Sequence, residues 1–93
     1  MELPINYDKA PWKVRKAARE QYVTDQEQLC CHCGNPLNGE PTRKVLNQKI
    51  NLRFFPKGFL KNPVHLHHNH RTGLTIGAVH AYCNAVLWQF HGE

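Results

Sequence analysis

HLHHNHRTGLTIGAVHAYCN, residues 65–84, is the stretch that decides the fold of this chain. It holds five of the seven histidines, a Thr-Gly turn, a Gly-bearing apolar run and then His-x-x-Cys-Asn. Val64 and Leu66, then Leu74, Ile76, Ala78 and Val79, read as two short strands around the histidines. His70-Arg71-Thr72-Gly73 reads as the turn between them, because Gly supplies the positive φ a tight connection needs. After Val79 the spacing becomes helical, with Tyr82, Val86 and Phe90 at intervals of four and Cys83 and Leu87 beside them. The order is strand, turn, strand, helix. Such an order can bring His67 and Asn84 around one ion, with His68 next to it.

This segment resembles the HNH, or ββα-metal, nucleases, and within them the phage recombination endonuclease VII branch. That branch carries Asp-His-Asp-His, then x-Thr-Gly, six residues of strand and Cys-x-x-Cys-Asn. Here His67-His68-Asn69-His70 stands in the first place, Arg71-Thr72-Gly73 follows, and His80-Ala81-Tyr82-Cys83-Asn84 fills the last with no gap. An upstream Cys30-x-x-Cys33 extends the likeness to about half the chain. The resemblance implies a DNA endonuclease or nickase of low sequence specificity, in which His68 is the general base. His67 and Asn84 would hold a catalytic divalent ion, and His70 would touch the scissile phosphate or shape the turn. It also implies phage or prophage origin and 5′-phosphate and 3′-hydroxyl products.

The chain has 93 residues, enough for one small domain whose modest core needs a staple. Its four cysteines are read as zinc ligands in preference to disulfides, because Cys30-Cys31-His32-Cys33 is a poor disulfide framework. Residues 1–10 have no apolar signal-peptide core and nothing is long enough to span a bilayer, so a cytoplasmic, intracellular location is expected. Cys30-x-x-Cys33 followed by Gly34 reads as a knuckle that pairs with His80-x-x-Cys83 to give a Cys3His set. Four protein ligands leave no open position, so this zinc is expected to be structural.

Charge points outward to a partner. The net charge is +5, and from Pro41 to Gly92 there are seven Lys or Arg and no Asp or Glu. An acid-free stretch of that length suits a polyanion, most simply nucleic-acid phosphates; an inert basic surface is the competing reading. Arg53, Lys57, Lys61 and Arg71 are the expected nucleic-acid contacts.

The expected architecture is an α+β single domain. Residues 1–29 form an extended arm and a helix that starts at Pro11, with Val14, Ala18 and Tyr22 on its apolar side. Lys13, Arg15, Lys16 and Arg19 spread over the other side, against DNA or simply solvated. Thr24-Asp25-Gln26-Glu27 reads as a capping box for a further helical turn. Residues 30–63 hold the zinc knuckle and an irregular middle, with strand or loop over Lys44–Leu52. At least two of Phe54, Phe55 and Phe59 are expected in the core. Residues 64–91 form the ββα-metal motif, with Trp88 and His91 on Asn84's side of the last helix and Trp88 packed.

The likeness departs from the family at two metal positions. His67 replaces the branch's Asp, which removes carboxylate from the catalytic shell. Imidazole suits later transition metals, so Mn²⁺, Co²⁺ or Ni²⁺ is expected to be favoured over Mg²⁺. His80 replaces Cys, which zinc accepts. His65, two residues before His67, reads as a half-buried hydrogen-bonded histidine, with a third ligand or phosphate contact as the alternative. Other readings of the whole are a non-catalytic zinc-stapled DNA-binding module and a small protein-interaction zinc ribbon. The spacing of His67, His68, Thr72-Gly73, His80, Cys83 and Asn84 favours the nuclease. Either a monomer or a homodimer is compatible with the sequence.

Overall fold

A two-stranded antiparallel hairpin and the helix that follows it form the centre of the molecule, in a computed structural model that describes residues 1–92. In chain order the elements are α1 (Trp12–Asp25), α2 (Arg43–Leu46), a 3-10 turn (Leu52–Phe54), β1 (Val64–His68), β2 (Thr75–His80) and α3 (Ala81–His91). The strand, turn, strand, helix order of residues 64–91 is as the sequence pattern predicts. Gly73 takes φ +79 in the turn, and a Cβ there would come within 3.0 Å of the Asp8 carboxylate. Asn69 closes the same turn by accepting from the Arg71 and Thr72 amides at 2.8 and 3.0 Å.

Pairing runs from Val64↔His80 to His67↔Gly77, then shifts so that His68 faces Thr75. Ile76 is thus an extra residue on β2, and the bulge re-aims His68 at the end of its strand.

The N-terminal arm is not a loose extension. Tyr7 N–H donates to Gly73 O at 2.7 Å and Thr75 N–H to Ile5 O at 3.0 Å, so the arm pairs through a single antiparallel bridge, Asn6↔Leu74, at the start of β2. Farther along that edge, Gln26 takes over: its Oε1 accepts from Ala78 N–H and its Nε2 donates to Ala78 O, both at 2.9 Å. The expected capping box at Thr24 is therefore wrong. Thr24 lies in the last turn of α1, with its hydroxyl donating to Glu20 O at 3.2 Å. The chain then reverses through positive φ at Glu27 and Gln28.

The core is small and overlaps the ligand set. Cys30, Leu37, Val45, Ala78, Val79, Cys83 and Val86 form one buried cluster. Residues 44–52 give neither strand nor long loop: the short α2 buries Val45, and Tyr82 Oη donates to Gln48 O at 2.8 Å from α3. The phenylalanines correct a second expectation. None of Phe54, Phe55 and Phe59 is in the buried core. Phe55 and Phe59 are half-buried against each other at 4.8 Å between ring centroids, and Phe54 and Phe55 edge onto Trp88. Alternation with Arg53, Lys57 and Pro56 keeps that loop at the surface, where its rings can wall a groove but cannot enter the interior.

A candidate metal centre and an adjoining groove

Cys30, Cys33, His80 and Cys83 converge from the knuckle, the end of β2 and the first turn of α3. Their ligand atoms all lie within 4.8 Å of one another. His80 Nδ1 is 3.5 Å from Cys33 Sγ and 3.6 Å from Cys83 Sγ. A tetrahedral zinc with Zn–S of about 2.3 Å and Zn–N of about 2.05 Å has S···N edges of about 3.5–3.6 Å, so the spacing fits such an ion. The other imidazole nitrogen fixes the tautomer. His80 Nε2 sits 2.8 Å from Pro36 O, and a carbonyl only accepts, so Nε2 carries the proton and Nδ1 presents its lone pair to the sulfurs.

Local geometry supports the thiolates. Gly34 N–H donates to Cys30 O at 3.0 Å as Gly34 takes φ +84, and Cys31 N–H donates to Ala78 O at 3.0 Å, seating the knuckle on the edge of β2. The Cys83 thiol holds the Cys30 thiol well below the ordinary range against the opposing effect of burial, with backbone amides of Cys33, His80 and His32 adding to it. Cys83 is driven up by sharing its proton with Cys30 and by burial. A cluster that stabilises thiolate next to a buried thiol and a lone-pair imidazole could hold a metal ion such as zinc. All four cysteines are free of disulfides.

The second feature is a groove of about 750 Å³ beside the hairpin. Tyr7, Trp12, Arg15, Lys16 and Arg19 line it from the arm and α1; Phe54, Phe55 and Phe59 from the loop; His65, His68 and His70 from β1 and the turn; Asn84 and Trp88 from α3. Among the described residues no carboxylate lines it.

His68, at the end of β1, is held there by two rings. Tyr7 stacks on it face to face, with centroids 3.9 Å apart and planes 5° apart, and His70 meets it edge-on at 4.7 Å. Arg15 backs the stack, with its guanidinium 4.0 Å from the Tyr7 ring and its Nε–H donating to Tyr7 O at 2.9 Å. Burial first, then the neighbouring His70, holds His68 below the ordinary imidazole range, although Asp8 pulls it upward.

Asn84 sits in the first turn of α3, as expected, and its amide meets His65. The Asn84 amide is 3.1 Å from His65 Nδ1, and Phe59 packs edge-on against the His65 ring at 4.7 Å. His65 is thus the half-buried, hydrogen-bonded histidine of the sequence reading, held below its ordinary range chiefly by burial. His67 is buried and lines a separate hollow of about 290 Å³ with Cys31, His32, Leu87 and His91. His65 and His67 are two apart on one strand. α3 meets the first with its opening turn, through Asn84, and lines the hollow at the second with Leu87 and His91 from its later turns.

An octahedral ion with bonds of about 2.1 Å has ligand edges of about 3.0 Å. The His65–Asn84 separation is compatible with that edge once the amide turns its oxygen inward. Among the described residues, however, the Cys3His set is the sole gathering of three or more His, Cys, Asp or Glu ligand atoms. No such gathering lies in the groove among the described residues.

The expected contacts Arg53, Lys57, Lys61 and Arg71 are exposed but do not line the groove. Its cations come from α1. Arg15, Lys16 and Arg19 belong to the basic helix face that the sequence set against DNA, but Tyr7 was not legible as a site residue: it reaches His68 across 61 positions of sequence, and no local pattern marks that contact. No helix of the described residues is long and apolar enough to cross a membrane. Compared with known proteins, the chain matches no family model, no curated protein and no solved structure.

Proposed function

We propose that this protein is a divalent-metal-dependent DNA endonuclease or nickase with a structural zinc at Cys30, Cys33, His80 and Cys83, and with His68 as its general base. The observation that carries this reading is the state of His68. Its ring is stacked under Tyr7 in the lining of a cationic, carboxylate-free groove, and burial holds its pKa below the ordinary imidazole range. A neutral imidazole of that kind can take a proton from water, and its depressed affinity extends that capacity to lower pH. Arg15, Lys16 and Arg19 would draw the phosphodiester backbone along α1, and His70 lies close enough to His68 to contact the phosphate under attack.

When bound, a divalent ion supplies charge stabilisation at the phosphoryl and leaving oxygens. Asn84 would hold it, with His65 as partner on the contact geometry and His67 as partner on the family pattern. Either shell lacks carboxylate, so Mn²⁺, Co²⁺ or Ni²⁺ would serve better than Mg²⁺. The likeness to the HNH family in residues 65–84 supports the same reading.

A second reading keeps the zinc and the DNA but not the chemistry. A non-catalytic DNA-binding module is favoured by one observation, that ligand atoms gather in threes or more only at the Cys3His set among the described residues. Nicking of supercoiled plasmid separates the two. Wild type, His68→Ala, His65→Ala and His67→Ala would be assayed with Mn²⁺, Mg²⁺ or no added ion, at equal zinc content and equal melting temperature. Ion-dependent nicking that disappears in His68→Ala supports the nuclease, and loss in one of the other two identifies Asn84's partner. Tight DNA binding with no nicking under any ion replaces it with the binding module.

A further inference from the structure

The groove carries more aromatic surface than phosphate binding requires. Trp12 is 68% exposed, Phe54 56% and Trp88 44%, and all three line it. Trp12 opens α1 next to Arg15, Lys16 and Arg19, whereas Phe54 and Trp88, from the loop and α3, lie tilted to each other with ring centroids 6.2 Å apart. Flat rings left in water beside cations have a poor fit to duplex DNA, whose bases are stacked on one another and whose accessible backbone offers only phosphate and sugar. They fit a strand whose bases are unpaired. Each base can stack on a ring while its phosphates meet guanidinium and ammonium groups, a combination that tolerates any sequence because every base has a π-face.

The arrangement of charge is consistent with the same occupant. The described lining has three cations and three imidazoles and no carboxylate. Lys16 is paired with Glu20 at 3.6 Å, but both side chains are largely exposed and the pair offers little resistance to a phosphate. The groove volume of about 750 Å³ is in the range of sites that enclose a ligand, roughly 300–1,000 Å³.

We infer that this groove binds single-stranded DNA, with Trp12, Phe54 and Trp88 as stacking platforms and Arg15, Lys16 and Arg19 as phosphate contacts. The inference rests on reading the groove as the substrate surface of the proposed nuclease, and it names the substrate class: an unpaired strand or the unpaired segment of a branched one.

Binding without added divalent ion tests it independently of cleavage. The zinc-loaded protein would be titrated with a fluorescent 12-nucleotide oligo(dT), a 12-base-pair duplex and an abasic 12-mer of equal charge. Oligo(dT) should bind at least about 5-fold more tightly than either of the others, and Trp12→Ala or Phe54→Ala should each weaken it by about 5-fold or more. Both rings are more than half exposed, so their removal leaves the core intact; Trp12→Phe should restore most of the binding. Lys16→Gln should flatten the salt dependence for all three ligands equally. Equal affinity for oligo(dT) and the abasic strand, or tighter binding of the duplex, overturns the inference even if the protein cuts DNA. Ring-dependent oligo(dT) binding without cleavage upholds it and removes the nuclease instead.

Discussion

Gly77→Ala tests the joint that holds the metal centre to the sheet. Gly77 lies in β2 opposite His67, with φ outside the left-handed region, so its backbone alone would accept alanine. Space would not. An added methyl would come within 2.8 Å of Gln26 Oε1 and 2.9 Å of Cys31 Sγ, both closer than real Cβ contacts allow. Gln26 must then leave the three hydrogen bonds its side chain makes: two that tie it to the hairpin at Ala78, both 2.9 Å, and a local one to Leu29 O at 2.8 Å. At about 0.5–1.5 kcal/mol for each bond, the loss is about 1.5–4.5 kcal/mol. Stiffening the unfolded chain returns only about 0.4–1 kcal/mol.

For a chain of this size 1 kcal/mol moves the melting temperature by about 4–8 °C, so Gly77→Ala should melt roughly 10–20 °C below wild type. Pushing Cys31 also strains its amide bond to Ala78, so zinc should exchange faster to a chelator. Differential scanning calorimetry on the zinc-loaded protein would be paired with a cycle through Gln26→Ala. In that background the 2.8 Å contact is gone, and Gly77→Ala should cost at least about 1 kcal/mol less than it does in wild type. A Gly77→Ala protein that melts with wild type, or a cycle with no coupling, refutes the close packing of Gln26 against β2.

Three other outcomes follow from the site. Cys83→Ser should leave the purified protein short of zinc and far less stable, because structural zinc is worth about 10–16 kcal/mol in small domains; full zinc by atomic absorption would exclude Cys83 as a ligand. Tyr7→Ala should bring the His68 pKa back up toward about 6.5 by exposing the ring, seen as a shifted imidazole titration by NMR, with nicking slowed about 10-fold. An unmoved titration would show that Tyr7 does not shield His68. Finally, His65 and His68 both have folded-state pKa values below the unfolded ~6.5, so the unfolded chain takes up protons first and stability falls as pH drops through about 6.5 toward the folded values. Denaturant melts with zinc content followed in parallel should show that slope, and His68→Phe should make it shallower.

The sequence by itself determined the parts that short-range chemistry dictates. Residues 64–91 could be read as strand, turn, strand and helix because side-chain period and a glycine turn are local properties. Cys30, Cys33, His80 and Cys83 could be paired because zinc ligands carry fixed spacings and Asn84 follows Cys83 in the same helical turn. Only the tertiary structure decided how those parts meet. It turned Thr24-Asp25-Gln26-Glu27 from a helix start into a latch, because Gln26 finds unpaired β2 backbone groups across 52 positions. It laid Phe54, Phe55 and Phe59 along a groove and not in the core. It also placed Tyr7 on His68 and set Asn84 against His65, with His67 in another hollow. These contacts depend on where α3 crosses β1 and where the arm joins β2. Such choices are made by non-local packing and edge hydrogen bonds, which leave no period or spacing in the chain to be read.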